Sequence, residues 1–421
     1  MLLCLMLFNT LFIIALYGLT LAFYLKLKPV ESCQSLGRDA SGRDTSGQDY
    51  PLVSVIVPAR NEEGKIGRCI ESLLNQNYPN FELVVIDDRS TDSTGDIIAS
   101  YAARDSRIKF VKGKDAPSGW IGKCNALAHA VGYASGDWFV FTDADTCHHP
   151  NSVADAVAYG IKNKIDLISF LPMQELGSFP ERLIMPVLLS AFLIGDPFHA
   201  VNNPRDSRAY AHGQYILCRR SSYLAVGGHR SVRDEIVEDH ALARVFKEKG
   251  YKIEVADGKT LYSVRMYTDL VSLWHGWTKN LYSFIDSKPS NLLVILLMIN
   301  TVVVAPWLWL GYVGWQWISG EFTNLVIQLS LLLIVQFGTL MLWQRRTSCH
   351  HEGIKWYHFF LTPYGCLAVS ALYLHAAYLV HSGGQVNWKG RRYVVNTRQT
   401  IEPTDGAESI EAKLISRDAA D

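Results

Sequence analysis

Residues 51–94 read PLVSVIVPARNEEGKIGRCIESLLNQNYPNFELVVIDDRSTDST. Two short apolar runs, Val53–Val57 and Glu82–Ile86, are bounded by turn-forming residues and have strand length. Between and after them, Glu62–Asn75 and Asp92–Ala103 read as helices. Working outward, a strand is expected at Ile108–Val111, a helix at Lys123–Ala134 and a strand at Trp138–Thr142. Repeated strand–helix alternation predicts an α/β fold with a mainly parallel sheet covered by helices on both faces.

In such sheets ligands sit outside the carboxyl ends of the strands. The residues at those positions are Pro58, Ala59, Arg60, Asn61 and Glu62 after the first strand, Asp87 and Asp88 after the second, and Asp143, Ala144 and Asp145 after the fourth. Converging carboxylates repel unless cations offset them. Asp143 and Asp145 alternate around Ala144 at a strand mouth and are hard oxygen donors. They suit Mg²⁺ or Mn²⁺, which takes one or two protein carboxylates and fills its other positions with phosphate and water. An Asp-rich solvated turn is the other reading of the triplet. No Gly-x-Gly-x-x-Gly follows a strand, and Gly122-Lys123 precedes Cys124 rather than Ser or Thr, so dinucleotide dehydrogenases and P-loop ATPases are excluded. Cys147-His148-His149 lacks zinc spacing, and adjacent histidines diverge on a strand or a helix.

Together with WIGKCNALAHA (120–130) and FVFTDADT (139–146), the opening stretch resembles a family 2 glycosyltransferase of GT-A fold, over roughly residues 51 to 280. The resemblance implies a nucleotide-sugar-binding, Rossmann-like GT-A domain. It assigns Asp88 to the uracil imide, Ala59, Arg60 and Glu62 to the nucleoside, and Asp143 and Asp145 to the DxD motif that holds the metal and the ribose-diphosphate. Pro58 and Asp87 belong to the same donor-binding set, and Lys123 resembles the basic contact near the phosphates. A solvated helix lysine is the alternative for Lys123. The segment RSSYLAVGGHRSVRDEIVEDHALARVFKEKG (220–250) resembles the acceptor side, where Asp239 of the Glu238-Asp239 pair would be the catalytic base of an inverting displacement. Acids at a helix N-terminus also interact favourably with its dipole, which is the other account of that pair. Gly213, Gln214, Glu238, Trp277 and Lys279 complete the expected acceptor side. The Gln-x-x-Arg-Trp element of processive synthases is missing from DLVSLWHGWTKNLYSF (269–284). That segment and NWKGRRY (387–393) resemble the subgroup acting on carotenoids, hopanoids and related lipids.

Residues 2–24 carry no charge and are long enough to cross a hydrocarbon core of roughly 30 Å as a helix. Three further uncharged stretches, 289–320, 322–344 and 356–388, follow the α/β region, and one of them could instead be re-entrant. Lys26 and Lys28 come after the first run, which reads as a retained anchor rather than a cleaved leader and places the next segment in the cytosol. Residues 31–50, rich in Ser, Gly and Asp, read as a tether. The organisation expected is an anchor at 1–28, a linker at 29–50, a cytosolic catalytic domain at 51–285, about three spans in 286–388 and a polar tail at 389–421. This would be a multi-pass protein of the plasma membrane. Lys plus Arg equals Asp plus Glu at 40 each over 421 residues, which disfavours nucleic acid as a partner. The eight cysteines form no CxxC pair.

The function expected is transfer of a sugar, glucose first, from a UDP-sugar to the hydroxyl of a hydrophobic membrane lipid, with Mg²⁺ or Mn²⁺. Transfer to a polyprenyl phosphate, which needs no base, and a non-enzymatic scaffold or transporter are the alternatives. Leu183–Ile194 reads either as an interfacial helix on the acceptor side or as a buried core helix.

Overall fold

The computed structural model describes residues 1–30, 51–195, 198–235, 237–285, 287–383, 385–388, 391–395 and 401–403. The expected tether and most of the expected tail therefore lie outside the described residues. Helix α1 (Leu2–Lys26) leads into the α/β region, which begins β1 (Val53–Ala59), α2 (Ile66–Leu74), β2 (Phe81–Asp87), α3 (Thr94–Ala102), β3 (Ile108–Lys112), α4 (Gly122–Val131), β4 (Trp138–Thr142). After these come β5 (Thr146–His148), α5 (Ser152–Lys162), β6 (Leu167–Leu171), β7 (Met173–Glu175), α6 (Phe179–Gly195) and α7 (Phe198–Val201). The region closes with β8 (Tyr215–Arg219), α8 (Arg220–Val226), α9 (Glu238–Glu248), β9 (Ile253–Asp257), β10 (Tyr262–Val264) and α10 (Leu270–Asn280).

Strands β3-β2-β1-β4-β8-β6-β9 form one seven-stranded sheet, and β8 is antiparallel to both its neighbours, β4 and β6. The sheet is therefore mixed. Alternation within the strands shows why both faces are covered. Val53, Val55 and Val57 of β1 and Trp138 and Val140 of β4 enter the core layer under α2, α3 and α5. Ile56, Phe139 and Phe141 point to the other layer, under α4, α8 and α9. Period-2 alternation with apolar residues at both phases produces the continuous apolar runs seen in the sequence.

Helix α2 starts at Ile66 rather than at Glu62, because Asn61 takes positive φ (50°) and Glu62–Lys65 form a turn in which the Lys65 and Ile66 amides bond the Glu62 carbonyl. Pro58 and Ala59 belong to β1, and Asp87 ends β2, so the first two strands run further than the sequence predicts.

Four helices are long and apolar enough to cross a membrane among the described residues. Besides α1 they are a rod of α11 (Pro289–Ile299) and α12 (Ala305–Ile318), then α13 (Asn324–Thr347), and a 3₁₀ turn leading into α14 (Thr362–Ser382). A π turn at Asn300–Val304 joins α11 to α12 just before Pro306, which has no amide to donate. Asn9 of α1 donates to the Thr301 carbonyl in that turn (2.8 Å) and accepts from Gln336 of α13 (2.9 Å), a polar link between helices whose outer faces are apolar. Helix α14 stops at Ser382, where Gly383 takes a left-handed φ of 67°, and residues 385–388 form a strand instead of continuing the span.

Helix α6 is neither a free interfacial helix nor part of the sheet's core. Its Ile184, Met185 and Leu188 pack with Leu273 and Trp277 of α10 and with Val369 and Leu372 of α14. Gly365 allows the α14 backbone to meet the Leu183 carbonyl. Trp274 and Tyr282, within and just after α10, hydrogen-bond His375 (3.0 Å) and His381 (2.9 Å) of α14. The α/β domain is thus fastened to the apolar helices through α6 and α10.

Candidate active site

At the switch point between β1 and β4, the chain turns first toward β2 and β3 and then to the opposite side, which opens a crevice at the strand ends. A cavity of about 840 Å³ lies there. Because β8 runs opposite to its neighbours, its beginning, not its end, faces this edge, and Gly213 and Gln214 reach the cavity beside Asp143 and Asp145. Pro58, Ala59, Arg60, Glu62, Asp88, Lys123, Glu238, Asp239, Trp277 and Lys279 also line it.

The nucleotide-side wall is held by its backbone. Asp88 N–H donates to the Ala59 carbonyl (2.7 Å), and Arg60 Nη1 donates to the carbonyls of Asp88 (2.7 Å) and Arg89 (3.0 Å). Asp88 is buried, at 5 % exposure. Asp87, expected among the donor-binding residues, is outside the cavity lining. Its carboxylate accepts from the Ser90 amide (3.0 Å) and fixes the loop that follows β2.

At the centre, Lys123 Nζ lies 2.9 Å from Asp143 Oδ1 and 2.7 Å from Glu238 Oε1. Burial alone would lower the Lys123 pKa, but Asp143, Glu238 and Asp239 raise it well above the ordinary lysine value. Lys123, although its side chain is 36 % exposed, bridges the carboxylate triplet and the Glu-Asp pair as a charged group. Glu238 is pushed up by burial and by the charge of Asp239. Asp239 goes the other way: burial opposes ionisation, yet His240, Lys123 and His212 hold its pKa below the usual carboxylate value. Its Oδ2 accepts the Gly213 amide at 2.6 Å, and a Cβ at Gly213 would lie 2.9 Å from that oxygen. Only glycine at 213 leaves Asp239 this position. An ionised, oriented carboxylate is what a general base requires.

Asp143 and Asp145 supply two hard oxygen donors, and no group of three His, Cys, Asp or Glu residues suited to a metal occurs among the described residues. The pair fits Mg²⁺ or Mn²⁺ only as ions completed by phosphate and water, which is how these ions are commonly held beside a diphosphate. His148, next to the triplet, is a buried core residue bonded to Thr142 (3.0 Å) and Thr146 (3.1 Å), and burial pushes its pKa down to about 3.

The profile described as Glycosyl transferase family 2 matches residues 54–226, which run from β1 through the carboxylate triplet to α8. By that match, residues 54–226 form a glycosyl transferase family 2 domain. The α/β domain of this glycosyltransferase is GT-A-like. The chain is 26 % identical over 356 residues to a 4,4'-diaponeurosporenoate glycosyltransferase of Staphylococcus aureus strain MRSA252, covering 83 % of this chain and 90 % of that protein. The counterpart in strain USA300 is 25 % identical with the same coverage. Among solved structures, a Pyrobaculum calidifontis mannosyltransferase in complex with GDP-Man and Mn²⁺ aligns with a TM-score of 0.48 and 16 % identity, over 90 % of this chain and 98 % of that one.

Several cavity residues of the glycosyltransferase fall outside the site residues that the sequence singles out, although Leu189 lies in the Leu183–Ile194 run and Phe284 in the 269–284 segment, both read there toward the acceptor side. Leu189, Met266, Tyr267 and Phe284 form an apolar wall supplied by α6 and the α10 region. His212 lies just before β8, Gln174 is the middle residue of β7, and His350 and His351 come from the segment after α13.

Proposed function

We propose that the protein is an inverting glycosyltransferase that moves one sugar, glucose first among candidates, from a UDP-sugar to the hydroxyl of a carotenoid, hopanoid or similar membrane lipid. The observation that carries this reading is that the carboxylate cluster and an apolar wall built on α6 and α10, both packed on the membrane helix α14, line one cavity. The relatives named for a carotenoid acid support an apolar acceptor.

Asp88, Arg60 and Glu62 bind the nucleoside, and Lys123 binds near the phosphates. Asp143 and Asp145 would hold Mg²⁺ or Mn²⁺, which would stabilise charge on the departing diphosphate. Asp239 takes the proton from the acceptor hydroxyl as its oxygen attacks the anomeric carbon, and Glu238 keeps Lys123 in place between the two acidic groups. Trp277 and Lys279 flank the acceptor. A polyprenyl-phosphate acceptor would not need Asp239.

Lipids extracted from cells expressing the protein are expected to gain the mass of a single hexose, and those from vector controls are not. A ladder of added hexoses, or a product confined to the aqueous phase, would overturn the reading.

The same reading places the α/β domain on the cytosolic side of the plasma membrane, following Lys26 and Lys28 after the first span. A cysteine introduced at exposed Glu63 should resist an impermeant maleimide in intact cells and react after lysis. Labelling in intact cells would contradict this.

A further inference from the structure

We propose that the segment between the third and fourth apolar helices completes the donor site, and that His351 recognises a hydroxyl of the transferred sugar. This rests on the glycosyltransferase reading above. Strand β11 (His351–Glu352) pairs in parallel with β7, His351 opposite Gln174. The sheet continues as β11-β7-β10-β5, and β5 begins at Thr146, directly after Asp145. A segment 206 positions downstream in the chain is thereby carried on the same small sheet as the carboxylate triplet.

The segment is fastened at both ends. His350 Nε2 lies 3.1 Å from Asp257 Oδ1 at the end of β9, and the Leu176 amide donates to the Glu352 carbonyl (3.1 Å). Asp257 is itself buried, and although burial favours its neutral form, His350 and Lys259 bring its pKa to about 2. Gly353 then takes φ of 93°, and a Cβ there would lie 2.5 Å from the Leu176 carbonyl, so the chain can pass this close only as glycine.

His351 lines the cavity yet is only 6 % exposed, and its Nδ1 is buried without a hydrogen-bond partner among the described residues. Gln214 Oε1, at the start of β8 and in the same cavity, is in the same condition. Buried polar atoms in native proteins are nearly always paired, and an exception in a cavity wall marks a partner supplied by a ligand or ordered water. Burial, with His350 beside it, pushes the His351 pKa down to about 4, so at neutral pH the ring is uncharged, with one nitrogen to donate and one to accept. The distribution of polarity in the cavity decides what binds where. The lipid suits Leu189, Met266 and Phe284, while His351, Gln174 and Gln214 offer a polar wall that a lipid tail would leave unsatisfied and a polyhydroxylated sugar would pair.

The test compares UDP with UDP-glucose, in saturating Mn²⁺, binding to the full-length protein in detergent by calorimetry. His351→Phe keeps a flat aromatic ring, somewhat larger than imidazole, and removes both nitrogens. It should weaken UDP-glucose about tenfold, as expected for a lost hydrogen bond in a closed site, and leave UDP unchanged. Retained UDP binding also shows that the variant is folded. His351→Asn, which returns a polar atom near the Nδ1 position, should recover most of the UDP-glucose affinity. Equal affinities for wild type and His351→Phe, or equal losses for UDP and UDP-glucose, would overturn the assignment. If wild type binds neither ligand, it is the donor reading that fails, a result distinguishable from the other two.

Discussion

Replacing Asp239 with Asn is expected to lower kcat by about 10²- to 10⁴-fold, the range typical for removing a general base, with donor affinity nearly unchanged. The expectation follows from where the carboxylate sits. Asp239 is held by the Gly213 amide at 2.6 Å, and nearby His240, Lys123 and His212 keep it ionised despite burial. Asparagine is close in size but cannot take a proton, so the loss should appear in kcat rather than in the donor's KM. Steady-state kinetics separate the two. A silent Asp239→Asn would point to an acceptor that is already ionised, such as a polyprenyl phosphate. A collapse of donor binding would mean that Asp239 serves the nucleotide side.

The second large effect concerns Asp143 and Asp145. Asp145→Ala should weaken UDP-sugar binding in Mn²⁺ by about two orders of magnitude, because the ion that would neutralise the diphosphate loses one of its two protein ligands. Excess chelator should abolish wild-type activity. Asp143→Asn has an additional consequence, since Asp143 also balances Lys123 at 2.9 Å and the lysine would turn more fully to Glu238. Its donor binding should therefore fall less steeply than that of Asp145→Ala. Full activity in chelator, or undiminished donor binding by Asp145→Ala, would remove the metal from the account.

The parts of this architecture that were legible in the sequence are those whose signals are local. Trp138–Thr142 is five consecutive apolar or β-forming residues buried on both faces, and strand and sequence run agree to the residue. The triplet that follows it could be placed at a strand mouth for the same reason. Other features depend on partners distant in the chain. Nothing in Tyr215–Arg219 distinguishes an antiparallel strand from a parallel one, yet that reversal brings Gly213 to Asp239. Asp87 and Asp88 are adjacent and chemically alike. Their different roles follow from the β2 terminus, which turns one toward Ser90 and leaves the other in the cavity. His350 and His351 follow an apolar helix with no motif around them, and their place in the cavity depends on a pairing with Gln174 and Glu175 that sequence periodicity does not encode. The dual packing of α6 was likewise hidden, because an apolar run with one proline reads equally well as a core helix or an interfacial helix.

The central claim is that donor and lipid meet in this one cavity and that a single displacement joins them. Single-turnover transfer tests it most directly. Purified protein in detergent, loaded with Mn²⁺ and UDP-glucose labelled in the sugar, is mixed with a lipid extract, and label is followed into the organic phase. The account predicts that wild type moves one labelled sugar per lipid, with inverted anomeric configuration and UDP released in equal amount, and that Asp239→Asn binds the donor but transfers at least about 100-fold more slowly. Label that enters a water-soluble polymer, a product of retained configuration, or transfer by Asp239→Asn at the wild-type rate would contradict it.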